Sequence, residues 1–128
     1  MTNSRVLVLE DDPCTLQLVS HILESEGFEV CKATDGEEAV RIFLEKSPTL
    51  LVLDVMVPKL NGIEVCRLVR RQSDVPIMML TAIDDSRCAA AAREAGANDY
   101  LTKPFEYDEL VGKAQMLSGA APSMLGAR

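Results

Sequence analysis

The sequence predicts an α/β domain in which a doubly wound, five-stranded parallel sheet is flanked by five helices. Five short runs of aliphatic and β-branched residues alternate with segments whose apolar residues recur at helical spacing. The runs are apolar along their whole length, which is typical of parallel strands that helices cover on both faces. A chain of 128 residues that is 48% hydrophobic can bury one core but is too short for two ordinary domains.

Each element has its own signature in the sequence. The predicted strands are Val6–Leu9, Val30–Ala33, Leu50–Leu53, Ile77–Leu80 and Tyr100–Leu101. The predicted helices are Thr15–Glu26, Glu37–Lys46, Ile63–Arg71, Ser86–Ala95 and Tyr107–Leu117. Asp12, which precedes a proline, predicts an N-cap of the first helix, and Asp35 with Glu38 predicts a capping box at the second. Gly27 and Gly96 predict helix ends.

Composition narrows the classes of function. A net charge of −7 opposes contact with a phosphate backbone, so we expect no direct binding of nucleic acid. The sequence has no long apolar span and no signal-peptide pattern, which predicts a soluble, cytoplasmic protein without a membrane partner. We expect residues 1–117 to form the domain, and the Gly- and Ala-rich segment 118–128 to be a flexible tail or the stub of a linker.

The four cysteines do not have the spacing of a metal site. Cys14, Cys31, Cys66 and Cys88 form no C-x-x-C pair, and His21 is the one histidine of the sequence. We therefore expect buried, reduced thiols.

Polar residues follow four of the predicted strands. Glu10 and Asp11 follow the first strand, Asp54 the third, Thr81 the fourth and Lys103 the fifth. The carboxyl ends of parallel strands meet at one edge of the sheet, so these side chains are expected to lie together. Three carboxylates in one place repel each other unless a cation neutralises them, and Mg²⁺ prefers such oxygen ligands together with a phosphate oxygen. The sequence thus predicts a Mg²⁺ site of Asp11 and Asp54, with Glu10 acting through water.

The same group of residues suits phosphoryl transfer. That reaction needs a nucleophile placed in line and positive or hydrogen-bonding groups around the phosphoryl oxygens. Asp54 is the predicted nucleophile, because it ends a buried strand and its carboxylate would project into the site. Lys103 and Thr81 would then contact the acyl phosphate.

Four segments resemble the signature segments of response regulator receivers, and the resemblance covers roughly residues 5 to 117. The segments are Leu9–Asp12, Leu53–Pro58, Leu80–Ala82 and Leu101–Phe105. The resemblance implies the flavodoxin-like receiver fold and a role as a two-component signalling switch. It implies that a sensor histidine kinase or a histidine phosphotransfer protein donates the phosphoryl group, with Mg²⁺ as cofactor. Such a chain is no conventional enzyme, although it catalyses its own phosphorylation and slow dephosphorylation.

The resemblance also implies a role for each residue of the site. Asp54 matches the phosphoacceptor, Glu10 and Asp11 match the acidic metal-binding pair, Thr81 matches the switch hydroxyl, and Lys103 matches the lysine that contacts phosphate. The signal would alter the surface of the fourth helix, fifth strand and fifth helix, through which the chain would control a partner or output domain or form a homodimer.

Further matches concern the surroundings of the site. The backbone carbonyl of Met56 matches a main-chain metal ligand, and Gly62 matches a turn glycine. Tyr100 matches an aromatic that turns inward, with a half-buried strand tyrosine as the alternative. The Lys103–Pro104 bond is expected to be cis. Met56 and Ile83 are apolar where many receivers carry a polar group, so we expect them to shield the acyl phosphate and prolong its lifetime.

Other functions are less consistent with the sequence. A haloacid dehalogenase-type phosphatase needs an aspartate two positions after Asp54, where Met56 stands. A flavodoxin-like cofactor binder needs a phosphate loop after the first strand, where acidic residues would repel the cofactor. A receiver that binds partners without phosphorylation, and a chain that is either complete or part of a longer regulator, remain open alternatives.

Overall fold

The computed structural model describes residues 4–82 and 86–119, and within them strands and helices alternate as predicted. The strands are β1 (Arg5–Leu9), β2 (Glu29–Ala33), β3 (Leu50–Asp54), β4 (Ile77–Ala82) and β5 (Asp99–Lys103). The helices are α1 (Pro13–Ser25), α2 (Gly36–Lys46), α3 (Gly62–Arg70), α4 (Ser86–Ala95) and α5 (Tyr107–Ser118). Residues 120–128, which include most of the expected tail, lie outside the described residues.

The strands form one parallel sheet in the order β2-β1-β3-β4-β5. The chain adds β2 on one side of β1 and then β3, β4 and β5 on the other side, so the strand order reverses between β1 and β3. The carboxyl ends of these two strands border a crevice, where open α/β sheets bind ligands. The register sets Leu9 opposite Leu53 and Asp54 opposite Leu80. The ends of these three central strands are therefore level at the crevice.

Successive strand residues face opposite layers of core. In β1, Leu7 and Leu9 pack in the layer beneath α2, α3 and α4, whereas Val6 and Val8 pack in the layer beneath α1 and α5. All five residues of β3 are buried. Burial on both faces explains why this strand is apolar without alternation.

The caps predicted at the starts of α1 and α2 are confirmed in part. The Asp12 Oδ2 atom accepts hydrogen bonds from Thr15 Oγ1 at 2.6 Å and from Thr15 N at 2.9 Å, which confirms the N-cap and lowers the pKa of Asp12. The capping box predicted at Asp35 is only half formed. Glu38 N donates to Asp35 Oδ1, but the Glu38 carboxylate accepts from the N–H and hydroxyl of Thr34, where two donors stand together.

The structure confirms the prediction for the two glycines but not the one for the cysteines. Gly27 and Gly96 have φ of 94° and 110° and follow helix ends as predicted. The expectation that all the thiols are buried was wrong. Cys66 is buried, but Cys14 is exposed because it lies on the solvent side of the first turn of α1.

Among the described residues, no helix is both long and apolar enough to span a membrane.

Candidate functional site

The sheet edge brings the three predicted carboxylates together. Oxygen atoms of Glu10, Asp11 and Asp54 all lie within 4.8 Å of one another. Glu10 and Asp54 are only 1% and 6% exposed, whereas Asp11 is open to solvent. This arrangement matches the oxygen-rich donor set of a hard divalent cation with one accessible side.

Lys103 joins two of these carboxylates. Its Nζ atom lies 2.7 Å from Glu10 Oε1 and 2.7 Å from Asp54 Oδ2. Burial acts to lower the pKa of the ammonium group, but its hydrogen bonds to Asp54 and Glu10 outweigh burial and raise that pKa. Lys103 is therefore a fixed positive charge at neutral pH.

Glu10 contacts Lys103 directly, which the sequence did not suggest. Burial raises the pKa of Glu10, the hydrogen bond from Lys103 offsets part of the rise, and the neighbouring Asp54 carboxyl adds to it. The second oxygen of Glu10 accepts from Asp12 N at 3.1 Å. Glu10 thus connects the start of α1 to the lysine that ends β5.

The loop after β3 surrounds Asp54. Met56 N donates to Asp54 Oδ1 at 3.0 Å, which orients the carboxylate. The Met56 side chain is 71% exposed and, with Asp11 and the rest of the loop, lines a cavity of about 480 Å³. Gly62 is the first residue of α3, and a Cβ atom there would overlap the carbonyl oxygen of Asp54. Close approach of two backbones, rather than turn geometry alone, explains this glycine.

Thr81 and Lys103 close the other side of the crevice. Thr81 directly follows Leu80, the β4 partner of Asp54, and is 2% exposed. Among the described residues, its Oγ1 atom has no hydrogen-bond partner. An unpaired buried hydroxyl is unfavourable, so an oxygen atom bound at the site would satisfy it. The Lys103–Pro104 bond is cis, as expected.

Tyr100 lies apart from this cluster. It is half-buried in β5 against the core layer beneath α4, and the guanidinium of Arg93 stands 4.9 Å from the centre of its ring. This position fits both a switch aromatic and an ordinary strand tyrosine. Ile83, the second residue expected to shield the site, lies outside the described residues.

Comparison with known proteins identifies the family of this chain. The model of the response regulator receiver domain matches residues 6–115. The DNA-binding response regulator MtrA of Mycolicibacterium smegmatis is 42% identical over 111 residues, which are 87% of this chain and 49% of that protein. The chain thus spans about half the length of the curated relatives it matches.

Solved structures are similar over nearly the whole fold. The receiver domain of the Francisella response regulator 1452 has a TM-score of 0.85 and 33% identity, and the match covers 91% of this chain and 98% of that one. The receiver domain of the Pseudomonas aeruginosa PAO1 sensor histidine kinase PA1611, with a magnesium ion coordinated in its active-site cleft, has a TM-score of 0.85 and 32% identity. That match covers 93% of this chain and 100% of the other. The chain belongs to the response regulator receiver domains of two-component systems.

Proposed function

We propose that this chain accepts a phosphoryl group on Asp54 from a phosphohistidine of a sensor kinase or a histidine phosphotransfer protein. The contact that carries the proposal is the 2.7 Å ion pair between Lys103 and Asp54, within a cluster that also contains Glu10 and Asp11. A structural ion pair needs one carboxylate. Three carboxylates around one lysine leave excess negative charge, which fits a site completed by a cation.

The reaction is a displacement at phosphorus. A carboxylate oxygen of Asp54 forms the new O–P bond while the P–N bond to the donor histidine breaks, and its electron pair returns to the imidazole nitrogen. Lys103 lies beside the attacking carboxylate and stabilises negative charge on the phosphoryl oxygens. The Thr81 hydroxyl, which lacks a partner among the described residues, donates a hydrogen bond to one of those oxygens.

Mg²⁺ fits the residues present. Asp11, Asp54 and the backbone carbonyl of Met56 would hold the ion, with Glu10 acting through water as predicted. When bound, the ion neutralises charge on the phosphoryl oxygens and on the carboxylates. Asp11 supplies the solvent-exposed side of this site, where the ion and the donor would enter.

The phosphoryl group would change the surface formed by α4, β5 and α5. Among the residues of α4 whose side chains are described, Ala92 and Ala95 alone are buried, so the helix is weakly held. Movement of Thr81 toward the phosphate would leave space for Tyr100 to turn inward and would reposition α4. The altered surface would bind a partner, an output domain or a second copy of the chain.

We propose that residues 1–117 act as the receiver and that 118–128 are either a tail or the stub of a linker to a further segment of a longer regulator. The relative MtrA is about twice as long as this chain and is described as DNA-binding. The net charge of −7 favours assigning any contact with DNA to such a segment rather than to this domain.

Replacing Asp11 tests the metal requirement. Asp11→Asn should weaken Mg²⁺ binding about tenfold or more, because a neutral amide replaces one anionic ligand. The readout is the Mg²⁺ concentration that gives half-maximal phosphorylation by acetyl phosphate. The control is Asp74→Asn, which alters an exposed aspartate elsewhere on the surface. Equal Mg²⁺ requirements for the two variants would exclude Asp11 as a ligand.

Replacing Met56 tests the lifetime of the acyl phosphate. Met56→Asn should speed hydrolysis several-fold, since a polar amide beside Asp54 can orient water that the thioether side chain excludes. The measurement is the decay of phosphorylated protein after removal of acetyl phosphate. Met116→Asn changes an equally exposed methionine on α5 and should not alter the decay. An unchanged rate in Met56→Asn would refute shielding by this residue.

A further inference from the structure

The N-terminus of α2 and the loop between β3 and α3 are in unusually close contact. A Cβ atom on Gly36 would overlap the carbonyl oxygen and the Cβ atom of Leu60. The Gly36 N–H also donates to the carbonyl oxygen of Pro58 at 3.3 Å. A residue with any side chain at position 36 would therefore have to push the loop away from α2.

A second contact holds the same loop. Lys59 has φ of 69°, a left-handed conformation that residues with side chains rarely adopt and that surrounding contacts must maintain. Its Nζ atom lies 3.7 Å from Asp35 Oδ2 and 3.8 Å from Glu37 Oε1. Both carboxylates flank Gly36, so the side-chain contacts hold the loop against the same point of α2.

This loop forms one wall of the candidate metal site. Its first part contains Met56, whose N–H orients Asp54 and which borders the cavity shared with Asp11. At its other end, Gly62 N donates to Val55 O at 3.0 Å. This bond joins the two ends of the loop, and the contacts with α2 hold its middle, so together they set the place of the Met56 backbone.

We infer that Gly36 is a positioning residue for the metal site. Its missing side chain lets the N-terminus of α2 set the loop at the distance at which Met56 and Asp54 can bind the same cation. Gly36 touches neither the ion nor the phosphoryl group and acts through Pro58 and Leu60. The inference rests on the proposed function, because it assumes that Mg²⁺ binds beside Asp54.

The matched test compares two glycine-to-alanine variants. Gly36→Ala adds a methyl group against Leu60, whereas Gly112→Ala adds one in α5 where nothing lies within 4 Å. Both substitutions raise helix propensity, so a difference between them reports the contact with the loop. Calorimetric titration with MgCl₂ alone should show the dissociation constant raised about tenfold or more in Gly36→Ala and unchanged in Gly112→Ala.

Kinetics separate positioning from general damage. At saturating Mg²⁺, Gly36→Ala should recover the wild-type rate of phosphorylation by acetyl phosphate, because the loss lies in metal affinity. A rate that stays low at saturating Mg²⁺, or an affinity equal to that of Gly112→Ala, would overturn the inference. Absence of Mg²⁺ binding by the wild-type chain would instead refute the proposed function.

If Gly36→Ala does not unfold cooperatively, the milder variant Lys59→Gly tests the inference instead. Lys59→Gly permits the left-handed backbone and removes both ion pairs to the start of α2. Mg²⁺ affinity about threefold weaker than wild type would support the inference, since two partly exposed ion pairs hold the loop only modestly. Unchanged affinity in Lys59→Gly would then overturn it.

Discussion

Lys103→Met should lower the free energy of unfolding by about 2 to 4 kcal/mol at neutral pH without Mg²⁺. The substitution keeps an unbranched side chain of similar length but removes the positive charge between Glu10 and Asp54. Both carboxylates are almost completely buried, so water cannot replace the stabilisation that the Lys103 ammonium group gives them. Urea denaturation followed by circular dichroism measures the loss.

The pH dependence of this variant has a definite sign. Burial already raises the pKa of Glu10, and without the hydrogen bond from Lys103 that pKa must rise further. A carboxyl whose pKa is raised by folding contributes most to stability at pH values below its unfolded pKa near 4.5. That contribution to stability is lost as the pH rises through the pKa of the folded state. Lys103→Met should therefore be more stable at pH 5 than at pH 7.5, and millimolar Mg²⁺ should restore part of the stability at the higher pH.

Lys113→Met provides the matched control. Lys113 pairs with Asp99 at 2.8 Å, and both side chains are more exposed than Glu10 and Asp54. Its loss should cost less than about 1 kcal/mol. If the two methionine variants lose equal stability, or if Lys103→Met does not respond to Mg²⁺, the charge balance described for the site is wrong.

Thr81→Val should have opposite effects on stability and signalling. Valine has nearly the same shape and removes a buried hydroxyl that lacks a partner among the described residues, so the unphosphorylated protein should gain about 1 kcal/mol. The phosphorylated protein would lose the donor that contacts the phosphoryl oxygen. Its α4 amides should then exchange hydrogen as they do without phosphate, unlike those of the phosphorylated wild type.

Thr49→Val, at the residue before β3, distinguishes this effect from a general effect of replacing threonine with valine. The Thr49 hydroxyl donates to Arg5 O at 3.1 Å, so its removal should reduce stability or leave it unchanged. Urea denaturation gives the stabilities, and hydrogen exchange with and without acetyl phosphate reports on α4. If Thr81→Val is destabilised, or if its α4 still responds to phosphorylation, Thr81 is not the link between the site and the helix.

The sequence predicted the fold and the meeting of Glu10, Asp11 and Asp54 at one sheet edge, because both depend on local patterns. The apolar runs at β1 and β3 need no alternation when both faces are covered, and the carboxyl-end rule alone places Asp11 near Asp54. Long-range side-chain contacts were harder to predict. β1 and β5 are not neighbours in the sheet, so the Glu10–Lys103 pair depends on how far a flexible lysine reaches across β3 and β4.

Two details needed the three-dimensional structure for similar reasons. The sequence pattern at Asp35 suits a capping box, but the Glu38 carboxylate accepts hydrogen bonds from the N–H and the hydroxyl of Thr34 instead. The closeness of Gly36 to Leu60 depends on the path of a loop between two elements, which no periodicity encodes. Side chains that choose among several nearby partners are the part of a site that pattern alone does not determine.

Asp54 is the proposed phosphoacceptor, and the intact mass of the protein shows whether it carries the phosphoryl group. Wild-type protein, Asp54→Asn and Asp108→Asn, which alters an exposed aspartate of α5, are incubated with Mg²⁺ and acetyl phosphate. We expect an added mass of about 80 Da on the wild type and on Asp108→Asn, and none on Asp54→Asn. An adduct on Asp54→Asn, or none on a folded wild-type protein that binds Mg²⁺, would contradict it and favour a receiver that signals by binding alone.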